Sequence, residues 1–198
     1  MTHKSDYTPD EWALLTTTTE FIGLRMLSAS RSGPIGKLRE LAALSRCLTP
    51  RAIPDRFRQN ELVRSLLEDI GTQDAVSFPP LSWSNVTDLA KAVVMARWQT
   101  LPYCQEVAAL LADRTPWAEA DDLKRWLLWL ARSVAKASGD KWLGSGRRVS
   151  DEEAAMLRQI AESLQVSTIV TVPSARDADM VQDADGVYDR GSADGQER

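Results

Sequence analysis

Few side chains in this 198-residue chain could do chemistry, and their types narrow the choice at once. There is one histidine, His3, and there are two cysteines, Cys47 and Cys104. Nucleophilic catalysis needs a base beside the nucleophile. A single histidine at the very start of the chain leaves no Ser-His or Cys-His machine to assemble. It also leaves no zinc site of ordinary ligand spacing. The cysteines lie far apart, belong to no C-x-x-C pair, and each falls in an apolar helical stretch. They read as small core hydrophobes.

Carboxylates are the remaining reactive resource. Asp140, in the loop that runs from Gly139 to Arg148, and Glu152 and Glu153, in the helix opening after it, could together offer two or three oxygen ligands to a hard cation. A structural role competes for the same groups. Ser150 followed by Glu153 is a capping box, in which the glutamate reaches back to the cap. Asp151 and Glu152 complement the positive end of the helix that begins there. Lys141, Arg147 and Arg148 in the same loop oppose a cation, so the capping role is the preferred one. The segment Gly144-Ser145-Gly146-Arg147-Arg148 invites comparison with a phosphate cradle. It lacks the Lys-Ser/Thr of a P-loop, and the three acids after it repel an anion. It reads as a solvated loop. A small enzyme working through paired carboxylates would leave no signature here, so the expectation is a chain without catalysis.

Tryptophan is the unusual component, with seven residues against three Phe and three Tyr. Trp12, Trp126 and Trp129 fall at helical spacing among apolar residues and are expected in the core. Trp83, Trp117 and Trp142 lie near loops or helix starts. They could anchor a partner, although pinning a loop is the preferred role.

The elements that must position these groups are helices. Thr8-Pro9-Asp10-Glu11 supplies a cap, a proline at the first helical position and a reciprocal glutamate. Trp12, Leu15, Thr19, Ile22 and Met26 then recur at three and four. The Thr16–Thr19 run is a poor helix former, and packing is expected to override it. Ser32-Gly33-Pro34 ends this helix. A second is predicted over Gly36–Leu48 and a third over Asp55–Ile70, with Gly71 in the position after its end. Residues 72–84 read as an ordered loop. Asn85 caps a fourth helix, and Pro102 opens a fifth over Pro102–Ala112. Thr115-Pro116 opens a sixth, the most apolar, with Leu123, Trp126, Leu127, Leu130 and Val134 facing inward. Ser150 opens a seventh.

Charge is unevenly placed. From Pro173 to Arg198 there are seven acids and three arginines, so this stretch alone carries the chain's net charge of −4. The remaining body is neutral and has no field to gather a phosphate backbone. The expected organisation is a flexible lead over 1–7, one helical domain over 8–172, and a disordered acidic tail over 173–198. No apolar run approaches the ~18 residues of a membrane span. The polar start lacks a secretory core, so a cytoplasmic location is expected.

Two segments are alike. Leu27-Ser28-Ala29-Ser30, a Gly-containing loop and Glu40-Leu41-Ala42-Ala43-Leu44 match Ala135-Lys136-Ala137-Ser138, a longer Gly-rich loop and Glu153-Ala154-Ala155-Met156-Leu157. Each unit is a helical hairpin that cannot bury its own apolar face, and two together could. The expected repeats cover 8–48 and 116–165. The second unit, best over 117–165, resembles the TerB-like family of helical proteins linked to tellurite resistance and found at the N-terminus of some co-chaperones. The residues carrying the resemblance are Val134-Ala135-Lys136-Ala137, Gly139-Asp140 and Val149-Ser150-Asp151-Glu152-Glu153. It implies divalent-metal binding through Asp140, Glu152 and Glu153. The first unit has Ser30 in place of the acid and keeps only Glu40.

The chain is therefore expected to be all-α, a compact bundle of about seven helices built on two TerB-like hairpins. Its expected function is a non-catalytic interaction or stress-response accessory module. Its expected partner is another protein or a second copy, not nucleic acid or a membrane, and it needs no cofactor. A divalent-metal module is the alternative, and a small carboxylate enzyme the second.

Overall fold

In the computed structural model the described residues are 2–29, 34–72, 86–137 and 149–166. Among them are seven α-helices: α1 Pro9–Ala29, α2 Pro34–Cys47, α3 Asp55–Arg58, α4 Glu61–Thr72, α5 Val86–Arg114, α6 Trp117–Ala137 and α7 Asp151–Ser163. Short 3-10 turns cover Lys4–Asp6 and Pro50–Ala52. The described chain is thus all-helical, and no described helix is long and apolar enough to cross a membrane. The segment from 173 to 198 and the stretch Ser167–Val172 lie outside the described residues.

α6 organises the core. It touches each of the other six α-helices, and Leu123, Trp126, Leu130, Ala131 and Val134 along it are fully buried. Its apolar residues fall on one broad stripe, which must be covered on several sides. α1 packs chiefly on α5 and also on α6, and α2 packs chiefly on α6. At Gly23 of α1 a β-carbon would stand 2.2 Å from a methyl of Leu44, so glycine is what lets α2 approach this closely. The Thr16–Thr19 run is helical and buried. Thr16, Thr18 and Thr19 donate their hydroxyls to the carbonyls of Trp12, Leu14 and Leu15, which satisfies polar atoms that burial would otherwise strand.

Three expectations are corrected. The predicted third helix is two helices, because Asn60 caps α4: its side-chain oxygen accepts from Val63 N at 3.2 Å and its amide donates to the Glu119 carbonyl at 2.9 Å. The predicted fourth and fifth helices are one, α5, with Pro102 in its interior. Proline removes the donor to the Trp98 carbonyl, but Pro102 and Trp98 share an exposed face. Before and after the proline, Ala96, Thr100, Cys104 and Val107 are buried on the inner face. The Thr100 hydroxyl donates to Ala96 O at 2.6 Å.

The first seven residues, expected to be flexible, are docked from Thr2 to Tyr7. Thr2 N and its hydroxyl both donate to Glu119 Oε2 at 2.9 Å, and the buried Tyr7 hydroxyl bonds that of Thr115. A buried Tyr and a buried Thr next to a helix cap give this segment the contacts that its composition did not advertise.

Candidate functional site

Of the acids proposed as metal ligands, Asp140 lies outside the described residues. Glu152 is exposed in the first turn of α7. Glu153 is 2% exposed. Its Oε2 accepts from Ser150 N at 2.8 Å, while Ser150 Oγ accepts from Glu153 N at 3.2 Å. The capping box expected from the sequence is present. Glu40, its counterpart in the first hairpin, is also fully buried. Among the described residues no group of three or more His, Cys, Asp or Glu side chains is disposed to hold a metal ion. The Gly144–Arg148 loop is outside the described residues.

The thiols behave as core groups. Cys47 and Cys104 are both buried and unbonded. Burial pushes the Cys104 thiol up to about 12, and it raises that of Cys47 against the opposing hydrogen bond of Ser133. Neither forms the thiolate a nucleophile needs at neutral pH. Glu20 on α1 is a further buried titratable group, its carboxyl raised to about 7 by desolvation.

The tryptophans divide. Trp12 and Trp126 are buried, and Trp129 is half-buried with its ring 6.4 Å from that of Phe57. Trp117, at the start of α6, is 81% exposed. Trp83 and Trp142 lie outside the described residues. Sequence reasoning passed over Trp98, which is 70% exposed in the middle of α5, one turn from Val94 at 60%. Val94, Trp98 and the exposed Pro102 recur every four residues and form one ridge along the helix. Splitting α5 at Pro102 hid this row, because its last member fell on a different predicted helix.

The surroundings of the ridge follow from the α1–α5 pairing. The Tyr7–Thr115 hydrogen bond, the Arg114–Glu11 ion pair at 3.1 Å, the Thr100 hydroxyl facing Phe21 O at 3.2 Å and the Phe21–Tyr103 stack fix two antiparallel helices. That register brings Arg25 level with the turn holding Arg97 and Trp98. The Arg25 guanidinium is held below its ordinary range first by partial burial and then by the charge of Arg97. Arg25 Nε is buried without a hydrogen-bond partner among the described residues, and its Nη1 makes only a long contact of 3.4 Å to Ser28 Oγ. The Arg97 guanidinium lies 5.9 Å from the centre of the Trp98 ring. Neither arginine is ion-paired with a described carboxylate. The described stretches α1 21–29 and α5 90–105 contain Arg25, Lys91 and Arg97 and no acid at all.

Comparison with protein-family models, with curated proteins and with solved structures gives no match.

Proposed function

We infer that the chain is a non-catalytic interaction module that binds a protein partner on the outer face of α5. The observation carrying this is the exposed Val94–Trp98–Pro102 ridge on a rigid, 29-residue helix. Scattered apolar residues on a surface need no explanation. A tryptophan and a valine on successive turns of one ridge, with most of their area in water, form a contiguous patch of the kind that marks a binding surface. Tryptophan at the centre of such a patch is the residue type most enriched among those dominating binding energy. The helix fixes its position, so little conformational freedom is lost on docking. The TerB-like resemblance of 117–165 agrees with an accessory role.

The test is affinity enrichment on the full chain beside its Trp98→Ala and Trp117→Ala variants, followed by reconstitution of each retained protein in purified form. A partner that binds the wild type and Trp117→Ala, but binds Trp98→Ala at least tenfold more weakly, is the expected result. Partners that bind all three equally would move the binding surface elsewhere.

A further inference from the structure

The neutrality of the helical body is a sum, and the fold distributes it unevenly. Residues 41–60 and 123–137 hold eight of the seventeen lysines and arginines among the described residues, but only one of the nineteen acids, Asp55. The other described stretches hold nine cations and eighteen acids. Packing sets the two basic stretches side by side. α2 and α3 both pack on α6, and the Phe57 ring of α3 lies 6.4 Å from that of Trp129 on α6. The Arg56 guanidinium sits 4.3 Å from the centre of the Phe57 ring, which brings its charge beside the α6 surface. Along α6 itself Arg125, Trp129, Arg132 and Lys136 recur at four, three and four on the outward stripe. The turn after α2 presents Arg46, Arg51 and Arg56, all exposed. Arg58 ties this turn together, donating to Ile53 O at 3.1 Å and Arg51 O at 3.3 Å. It also holds Asp55 at 3.0 Å, so the one acid of the patch is engaged. At the patch's edge Asp121 is taken by Arg125, and Asp122 is exposed.

We propose that this face binds a nucleic-acid duplex through its phosphate backbone, with Arg46, Arg51, Arg56, Arg132 and Lys136 meeting the phosphates. The guanidinium fork suits phosphate and carboxylate alike, so the form of the patch decides. The stripe from Arg125 to Lys136 is about 16 Å long at the helical rise. One strand of a duplex passes about five phosphates over that length. Cations fixed on a long helix and a hydrogen-bonded turn match a stiff rod of even charge. An anionic membrane rewards apolar groups exposed beside the cations. The exposed large apolar residues, Val94, Trp98 and Trp117, all lie outside the two basic stretches. Contacts to phosphate carry no sequence information, so both DNA and RNA duplexes qualify. The acidic remainder of the surface repels the same polyanion and thereby turns the basic face toward it. This surface is separate from the α5 ridge, and the proposal stands without it.

Fluorescence anisotropy of short labelled DNA and RNA duplexes, titrated with the full chain, tests it. Both duplexes should bind, with a log–log salt slope of about −4, near −0.9 for each phosphate met. Arg56→Gln/Arg132→Gln should weaken binding at least tenfold and make the slope shallower by about two. Arg97→Gln/Arg158→Gln removes the same charge from outside the patch and should weaken binding less than threefold. All four arginines are at least partly exposed, so these variants are expected to fold, and melting curves check this. Trp98→Ala should bind as the wild type does. No saturable binding of either duplex at about 50 mM salt would overturn the proposal. Equal losses in the two double variants would overturn it too, since net charge alone would then be acting. Loss of duplex binding in Trp98→Ala would move the contact to the α5 face. Tighter binding of poly-glutamate or of phosphatidylserine vesicles than of either duplex would overturn the duplex in favour of an acidic protein or a membrane.

Discussion

Trp126 and Trp98 occupy the middles of two long neighbouring helices and meet opposite fates. Trp126 is fully buried, and Trp98 is 70% exposed. Residue type cannot explain this, nor can helix length. The difference lies in which stripe each falls on. Trp126 has Leu123, Leu127 and Leu130 three, one and four positions away, all buried, so it stands within the apolar stripe of α6. α5 buries a stripe of small residues instead, Ala96, Thr100, Cys104 and Ala108, with Val107 and Leu111 beyond. Small side chains let α1 lie close against α5, and Trp98 is left on the far side. A tryptophan inside a stripe of large apolar residues is core. One opposite a stripe of small residues is a surface feature that calls for a use.

The sharpest way to break this comparison is to truncate both tryptophans. Trp126→Ala should cost about 3–5 kcal/mol, the transfer and cavity cost of a large core side chain. Denaturant unfolding would read it, and a loss below about 1 kcal/mol would remove α6 from the centre of the fold. Trp126 Nε1 is buried without a partner among the described residues. Trp126→Phe should therefore cost much less than Trp126→Ala, since it removes an unpaired N–H along with the volume.

The next effect contrasts a buried charge with the exposed arginines. The Glu20 carboxyl is raised from 4.5 to about 7 by desolvation. The folded state thus holds a proton that the unfolded state releases near pH 4.5. Stability from this group is fully present below that pH, declines as pH rises, and is gone above about 7. Glu20→Gln should match the wild type at pH 4 and exceed it by about 3 kcal/mol at pH 8, each tenfold change in proton affinity being worth about 1.4 kcal/mol. Equal unfolding curves at both pH values would show that the carboxylate is solvated. No comparable pH dependence is expected from Arg25→Gln, because arginine stays charged throughout this range.

Local signals carried much of the fold. Thr8 with Glu11 and Ser150 with Glu153 form the boxes their spacing predicted, and Leu130 is at the centre. These depend on residues within one helical turn, or on a periodicity long enough to average out exceptions. Failures came where tertiary contacts overrode a local rule. Pro102 is a helix breaker by propensity, but the buried face of α5 carries the helix through it. Asn60 looked like an ordinary interior residue, and its capping role is fixed partly by the Glu119 carbonyl far along the chain. The candidate site was the least readable part. Arg25 and Arg97 are brought together only by the α1–α5 register, which no local pattern encodes.

Ser150 and Glu153 offer a smaller effect that separates capping from cation binding. Ser150→Ala should lose about 0.5–2 kcal/mol by orphaning a backbone N–H. Glu153→Gln should lose little, because the amide can still accept from the Ser150 backbone. Melting curves with and without millimolar Ca²⁺ or Mg²⁺ complete the test. A rise of several degrees in the wild type, erased in Glu153→Gln, would establish that Glu153 binds a cation despite its cap.

The smallest expected effect is on the other tryptophan. Trp98→Ala should change unfolding free energy by no more than about 0.5 kcal/mol, as for a surface substitution away from any special feature. The ring already has most of its area in water, and the helix it leaves gains alanine, the best helix former. The loss comes from the contact with Arg97, which at an exposed site is worth about 0.5–1 kcal/mol, and the two changes oppose each other. A near-zero stability change joined to lost partner binding would mark Trp98 as a residue whose contribution lies outside the fold. A loss of about 2 kcal/mol or more would mean that the ring is packed in solution, and the contrast with Trp126 would be one of degree.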